Sequence, residues 1–335
     1  MTLRVGMIGT GMIGQDHVRR LTQVLSGADV VAVSDADTDL AHQVAAGLKN
    51  ATVHATGESL IADPQVDAVI VCSWGPSHEA YVLASIAAGK PVFCEKPLAT
   101  TTEACRNIID AEVAYGSRLV QVGFMRRYDA AYRALKAVVD SGEIGAPLMY
   151  NSGHRNPSVP AHYTKDMAIV DTAVHDFDVT RWLLGEELSA IRVIAAKPNS
   201  LGGDLLDPLL MIVETESGVL VNVETSVNVR YGYDIRGEVI GETGTAALAD
   251  RGPVVVRSGN RVSSSVPEDW RERFIAAYDV ELQEWINAVT AGEGATGPSA
   301  WDGYAAQAVC NAGVAALASG DRIVIELGDK PGLYT

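Results

Sequence analysis

From Leu3 to about Gly123, short runs rich in β-branched and other apolar residues alternate with longer stretches whose apolar positions recur at helical spacing. Leu3 to Ile8, Val30 to Asp35, Asp67 to Cys72, Pro91 to Cys94 and Leu119 to Gly123 have strand length; Ser77 to Gly89 and Thr102 to Gly116 carry the helical period. Near-continuous apolar strands suit a parallel sheet covered by helices on both faces, so right-handed βαβ units in a doubly wound, Rossmann-like sheet are predicted. After Gly123 the pattern changes. Helices are predicted over Asp129 to Ser141 and Val170 to Leu184, followed by a strand-rich stretch from Ser189 to about Val266. There Val219 to Val229 and Tyr233 to Ile240 alternate between glycines, as antiparallel strands with one covered face do. Helices over Glu268 to Ala291 and Ala300 to Ala318 and a strand over Arg322 to Leu327 complete the reading. The predicted fold is α/β, with a Rossmann domain over 1–123 and a second α/β domain over 124–335.

Composition narrows the function. With 335 residues, 47% hydrophobic and 20% charged, the chain can bury two cores without staples. A formal net charge of −16 opposes nucleic acid and anionic lipid, and no apolar run reaches the length of a membrane span. A cytoplasmic protein is expected. Cys72, Cys94, Cys105 and Cys310 show no paired spacing and read as buried, reduced thiols. No metal-binding motif emerges from His154, His162, Asp171 and His175, and no metal is expected.

The run Val5 to Gly14, VGMIGTGMIG, places G-x-G-x-x-G at Gly9, Gly11 and Gly14 between a strand and a helix. Such glycines permit a tight turn and close approach of a pyrophosphate to the uncapped N–H groups of the helix. Asp35 follows at the end of the second strand, near the spacing at which an acid binds the adenosine ribose hydroxyls. A carboxylate there, with Ala36 and Asp37 next and no arginine nearby, favours NAD over NADP.

Further elements stand at the ends of the later strands: SWGPSH over Ser73 to His78, Glu95-Lys96-Pro97, and VDTAVH over Val170 to His175. Together with the glycine motif these resemble the Gfo/Idh/MocA family of sugar and cyclitol oxidoreductases, over essentially the whole chain. Phe124-Met125-Arg126-Arg127-Tyr128, His154-Arg155-Asn156-Pro157, Asp171-Thr172 with His175, and Tyr231-Gly232-Tyr233-Asp234 are similar to its inositol dehydrogenase branch. The resemblance implies a second domain with an open, mainly antiparallel sheet whose outer face builds dimers or tetramers. It implies that Gly9, Gly11, Met12, Ile13, Gly14, Asp35, Ser73, Trp74, His78, Glu95 and Lys96 bind NAD. It further implies that Lys96, Asp171 and His175 are catalytic, and that Arg126, His154, Asn156, Thr172, Asp178 and Tyr233 join them in holding a polyol. Whether Tyr231 or Tyr233 meets the substrate stays open, because residues two apart share a strand face.

The chemistry fits these residue types. Lys96 follows a parallel strand, where open α/β sheets bind ligands, and can stabilise negative charge on a substrate oxygen. Neutral imidazole at His175 can take the alcohol proton, with Asp171 orienting the ring. On a regular helix Asp171, His175 and Asp178 share a face, while Val170, Ala173, Val174, Phe177 and Leu184 form an apolar arc. Helical spacing alone reads that face as ordinary solvated surface; the resemblance makes it an acid–base stripe. His17 reads as a packed or capped structural histidine. The implied reaction is oxidation of myo-inositol to a keto-inositol with NAD. Alternatives are oxidation of scyllo-inositol or an aldose, an NAD-dependent glycosidase, and a non-catalytic dinucleotide-sensing regulator.

Overall fold

The computed structural model describes residues 2–249 and 254–335; 250–253, within the expected strand-rich stretch, lie outside the described residues. Two compact units emerge, the first formed by Met1–Phe124, Tyr278–Gln307 and Gly328–Thr335, the second by Met125–Ala277 and Ala308–Leu327.

The first unit contains β1 (Leu3–Ile8), α1 (Met12–Gln23), β2 (Ala28–Ser34), α2 (Thr38–Ala46), β3 (Thr52–Val53), α3 (Gly57–Ile61), β4 (Ala68–Val71), α4 (His78–Ala87), β5 (Val92–Glu95), α5 (Thr102–Tyr115) and β6 (Val120–Gly123). Its six strands are all parallel in the order β3-β2-β1-β4-β5-β6. The order reverses direction between β1 and β4, the switch point at which such sheets bind ligands beyond the carboxyl ends of their strands. Val69, Ile70 and Val71 are completely buried, as in a parallel strand covered on both faces. Capping side chains set three helix starts: Asp37 accepts the N–H groups of Asp39 and Leu40 at 3.1 Å before α2, Thr56 that of Ser59 before α3, and Thr101 that of Ala104 before α5.

The second unit contains α6 (Ala130–Ser141), β7 (Pro147–Arg155), α7 (Val174–Leu184), β8 (Leu188–Ala195), β9 (Leu209–Thr215), β10 (Leu220–Ser226), β11 (Asp234–Gly241), β12 (Thr245–Ala247) and the hairpin β13 (Val255–Ser258) and β14 (Arg261–Ser264). Helices α8 (Trp270–Ala291) and α9 (Ala300–Ser319) follow, then β15 (Ile323–Val324). The seven-stranded sheet runs β12-β11-β7-β10-β9-β8-β15, antiparallel except where β7 meets β10.

The partition differs from one cut after residue 123. Residues 278–291 of α8 belong to the first unit, where Leu282, Trp285 and Ile286 share a core with Val5, Met7, Val30 and Ile70. Trp285 meets Phe93 of β5 edge-on at 5.9 Å. Strand β7, in the middle of the second sheet, lies before the stretch expected to hold strands. Its buried side chains are Tyr150, Ser152 and His154, with Gly153 also buried between the last two, so its inward face reads as polar and hides the strand's period.

The C-terminal segment is tied into the first unit by one buried acid. Glu112 of α5 accepts the N–H groups of Leu119 and Val120, at 2.5 and 2.6 Å, and the Tyr334 hydroxyl at 2.5 Å. Replacing it by alanine leaves three polar groups without their acceptor, so Glu112→Ala is expected to destabilise the protein by about 3 kcal/mol or more. Chemical denaturation tests this; a loss below about 1 kcal/mol contradicts the assignment.

Candidate active site

In the first unit the turn between β1 and α1 assigns its three glycines different tasks. Gly9 has φ +93°, and a Cβ there would lie 2.5 Å from the Cys72 carbonyl carbon and the Ser73 nitrogen. At Gly14 a Cβ would lie 2.1 Å from the Gly9 carbonyl oxygen, so this glycine lets the helix close against the turn. Gly11 has nothing within 4 Å of a Cβ position. It is also the N-cap of α1, with no side-chain cap and no acidic residue in the following turn. Space over a helix N-terminus with unclaimed N–H groups is what a pyrophosphate needs. Met12 is exposed and Ile13 half-buried beside it.

Asp35 stands just past β2. Its Oδ2 accepts the backbone N–H and the hydroxyl of Thr10, and its Oδ1 accepts the N–H of Asp37. Partial burial pushes its pKa up, but these donors outweigh burial and hold it below the ordinary carboxylate range. A fixed negative charge with lone pairs remaining suits ribose hydroxyls and opposes a 2′-phosphate. Turn and acid together fit a dinucleotide.

Beyond β4 and β5 the side chains divide. Trp74 is 80% exposed, and the Ser73 and Ser77 hydroxyls are 2.8 Å apart. His78, expected at the cofactor, is 1% exposed; its Nδ1 and Nε2 face the carbonyl oxygens of Pro97 and Ser73 at 2.7 and 2.9 Å. It joins the two loops from below. Glu95, also expected at the cofactor, is buried, with Oε1 2.7 Å from His17 Nε2 and Oε2 accepting the Lys96 N–H at 3.3 Å. Both residues are drawn inward because a buried polar group must find partners there. Lys96 itself is half-buried at the carboxyl end of β5. His17 thus has a more definite place than a packed helix residue. Fully buried on α1, it meets Phe93 edge-on and lies beside Arg20, which pairs with Asp16 and Asp279.

In the second unit Asp171 and Thr172 lie in a π-helical turn, Ala168–Ala173, that runs directly into α7. The wider winding of that turn shifts the phase on which a common face for Asp171, His175 and Asp178 depends. Instead of an amphipathic helix, α7 is buried on nearly every side from Val174 to Arg181. His175 is 8% exposed, Asp171 is half-buried, and the Thr172 hydroxyl lies 2.6 Å from that of Tyr163. Asp178 is wholly buried, paired with Arg127 through contacts of 3.0 and 2.5 Å. Burial of its charge requires such a partner.

Two other expected ligands, Arg126 and His154, converge on a residue the sequence pattern did not single out. The fully buried Asp176 accepts Arg126 Nη1 at 2.6 Å and the Ser152 hydroxyl at 2.7 Å on Oδ1, while His154 Nδ1 lies 2.8 Å from Oδ2. The Tyr233 hydroxyl lies 3.1 Å from His154 Nε2. Arg126, His154 and Tyr233 are 1%, 3% and 3% exposed, with Arg126 and His154 on this carboxylate and Tyr233 behind His154. Burial pushes the Asp176 pKa up, but Arg126 and His154 more than offset it and hold the carboxyl well below its usual range.

Asn156 is half-buried just past β7, its N–H donating to the Ser226 carbonyl at 2.8 Å and its carbonyl accepting from Val229 at 3.1 Å. Tyr231 and Tyr233 do not share a strand face. Arg230 and Gly232 have φ of 65° and 138° and β11 begins only at Asp234, so Tyr231 is 53% exposed against Asp234 while Tyr233 is buried.

Residues 3–124 match the NAD-binding Rossmann fold of an oxidoreductase family, and residues 136–327 match the C-terminal alpha/beta domain of the same family. The chain is 53% identical to an inositol 2-dehydrogenase of Pseudomonas fluorescens, with 100% of both chains covered. It is 54% identical to inositol 2-dehydrogenase 3 of Saccharopolyspora erythraea, covering 100% of this chain and 98% of the relative. The crystal structure of myo-inositol dehydrogenase from Lactobacillus casei, in complex with NAD(H) and myo-inositol, superposes with a TM-score of 0.98 at 41% identity, covering 100% of each chain.

The glycine geometry separates binding from folding. Gly11→Ala is expected to leave the thermal midpoint within about 2 °C of the parent, since its Cβ meets nothing, yet weaken dinucleotide binding at least tenfold by crowding the pyrophosphate. Gly14→Ala, whose Cβ collides with backbone, should lower both. Calorimetry with fluorescence titration checks the pair; unchanged affinity in Gly11→Ala contradicts this placement of the pyrophosphate.

Proposed function

The chain belongs to the Gfo/Idh/MocA oxidoreductase family, and from that footing we propose that Lys96, Asp171 and His175 carry out its NAD-dependent oxidation of myo-inositol to a keto-inositol. The activity is that of an inositol dehydrogenase. The observation that carries it is the full-length likeness to enzymes of that name, including a 41% identical structure holding NAD(H) and myo-inositol.

When bound, NAD supplies the acceptor for the carbinol hydride. Gly9, Gly11 and Gly14 shape its pyrophosphate site and Asp35 takes its ribose hydroxyls, with Met12, Ile13, Ser73 and Trp74 alongside. Lys96 donates a hydrogen bond to the substrate oxygen and stabilises the negative charge that develops as the carbinol is oxidised. His175 takes the hydroxyl proton, and Asp171 holds its imidazole and stabilises the imidazolium. Asn156 and Thr172 offer polar groups to further ring hydroxyls, while Arg126, His154, Asp178 and Tyr233 support the pocket from behind. This last assignment follows from their burial.

We also read the protein as a cytoplasmic homo-oligomer, a dimer or tetramer built on the open face of the second sheet. Ile194 and Leu210, adjacent in register, are 42% and 37% exposed there, and apolar pairs on an open sheet favour a covering partner. The four cysteines are free, buried thiols, which suits a reducing compartment.

Two measurements test the catalytic reading. Initial rates of NADH formation should give a kcat/KM for myo-inositol roughly four orders of magnitude above that for propan-2-ol, because a small alcohol leaves pocket polar groups unpaired. Comparable values for the two overturn the polyol assignment. Lys96→Ala and His175→Ala should each lower kcat about a hundredfold or more while NAD affinity stays within about twofold. Loss of NAD affinity in proportion to activity would move the residue into the cofactor site.

A further inference from the structure

The second unit holds a buried carboxylate that the proposed chemistry does not use, one residue from its proposed base. Asp176, in the first turns of α7, gathers partners from two other segments: Arg126 from the turn Met125–Tyr128, and Ser152 and His154 from β7. Alternation along β7 sends Ser152 and His154 to the covered face of the sheet, two residues apart, so one carboxylate can engage both. The backbone of α7 is tied at the same point, where the Thr180 hydroxyl donates to the Asp176 carbonyl at 2.6 Å.

His154 is held between three side chains. Its Nδ1 lies 2.8 Å from both Asp176 Oδ2 and Arg126 Nη2. Its Nε2 lies 3.1 Å from the Tyr233 hydroxyl. Tyr233 meets the ring edge-on, with centroids 5.6 Å apart. The position of the His154 ring is thereby fixed by Asp176, Arg126 and Tyr233 together.

A buried ion pair is a poor source of stability, since well-packed apolar side chains of similar volume commonly serve as well or better; a charge kept in the interior more often selects one arrangement. We propose that Asp176 is a positioning residue for the oxidation. By joining Arg126 and β7 to α7, it holds Asn156, at the end of that strand, in register with Asp171, Thr172 and His175. This rests on the catalytic reading above, and a small displacement of such groups is enough to lose a productive geometry.

The experiment uses the full chain with NAD and myo-inositol. Asp176→Asn keeps the shape and removes the charge; kcat/KM for myo-inositol is expected to fall about a hundredfold, with NAD affinity within about twofold of the parent. The double variant Arg126→Met/Asp176→Leu removes both charges and is expected to regain thermal stability without regaining kcat/KM. Should Asp176→Asn not fold, Ser152→Ala removes one donor and should lower kcat/KM about three- to tenfold at unchanged NAD affinity. The proposal is overturned by an Asp176→Asn enzyme within threefold of the parent, or by a double variant that recovers activity together with stability. With Asp176→Asn unfolded, an unaltered Ser152→Ala enzyme overturns it. His175→Ala keeps the two readings apart: an active His175→Ala defeats the catalytic assignment, whereas an inactive one beside a fully active Asp176→Asn defeats only this inference.

Discussion

A carboxylate enclosed by protein must be met by donors that replace its lost water, and the positions of those donors are then no longer free. Both units place such an acid beside a proposed reacting group. Glu95, next to Lys96, is matched to His17 on the dinucleotide helix; Asp176, next to His175, is matched to His154 on the central strand and to Arg126. In each case an imidazole from another element receives the carboxylate, so the flanking residue is set by two elements at once. Preorganisation of this kind is what acid–base chemistry requires, since its groups must stand ready before the substrate arrives.

The same constraint explains which parts of the protein were legible in the sequence. The dinucleotide turn was, because its glycines answer to backbone sterics alone: Gly9 to a positive φ, Gly14 to a carbonyl, Gly11 to open space. The parallel sheet was, because strands buried on both faces read as short, mostly apolar runs. Strand β7 was not. Ser152 and His154 face inward to satisfy Asp176, so the polar positions of this strand sit where apolar ones normally announce a strand. Nor could helical spacing anticipate the π-turn before α7, which depends on the packing of residues 168–173 rather than on their identities. Asp176 itself was not singled out, since nothing local shows that Arg126 and His154 reach it from distant segments.

Glu95 and His78 show a related limit. A motif identifies residues that occur together; their side chains can serve the site by facing away from it. His78 fastens the loops after β4 and β5 through carbonyl groups, and Glu95 turns to His17. Their place in the motif is therefore consistent with shaping the path of the backbone around Lys96 rather than with direct ligation.

The passage of α8 through both units bears on how the protein is made. On the ribosome the parallel strands emerge first, yet Phe93 lacks the indole that packs against it until synthesis has passed Trp285, and Leu282 and Ile286 arrive with it. The nascent sheet therefore waits, with part of its core uncovered, while β7 to β14 are translated. Such a chain exposes apolar surface to its surroundings for most of its synthesis, and an excised fragment ending at Phe124 would carry that exposed surface permanently.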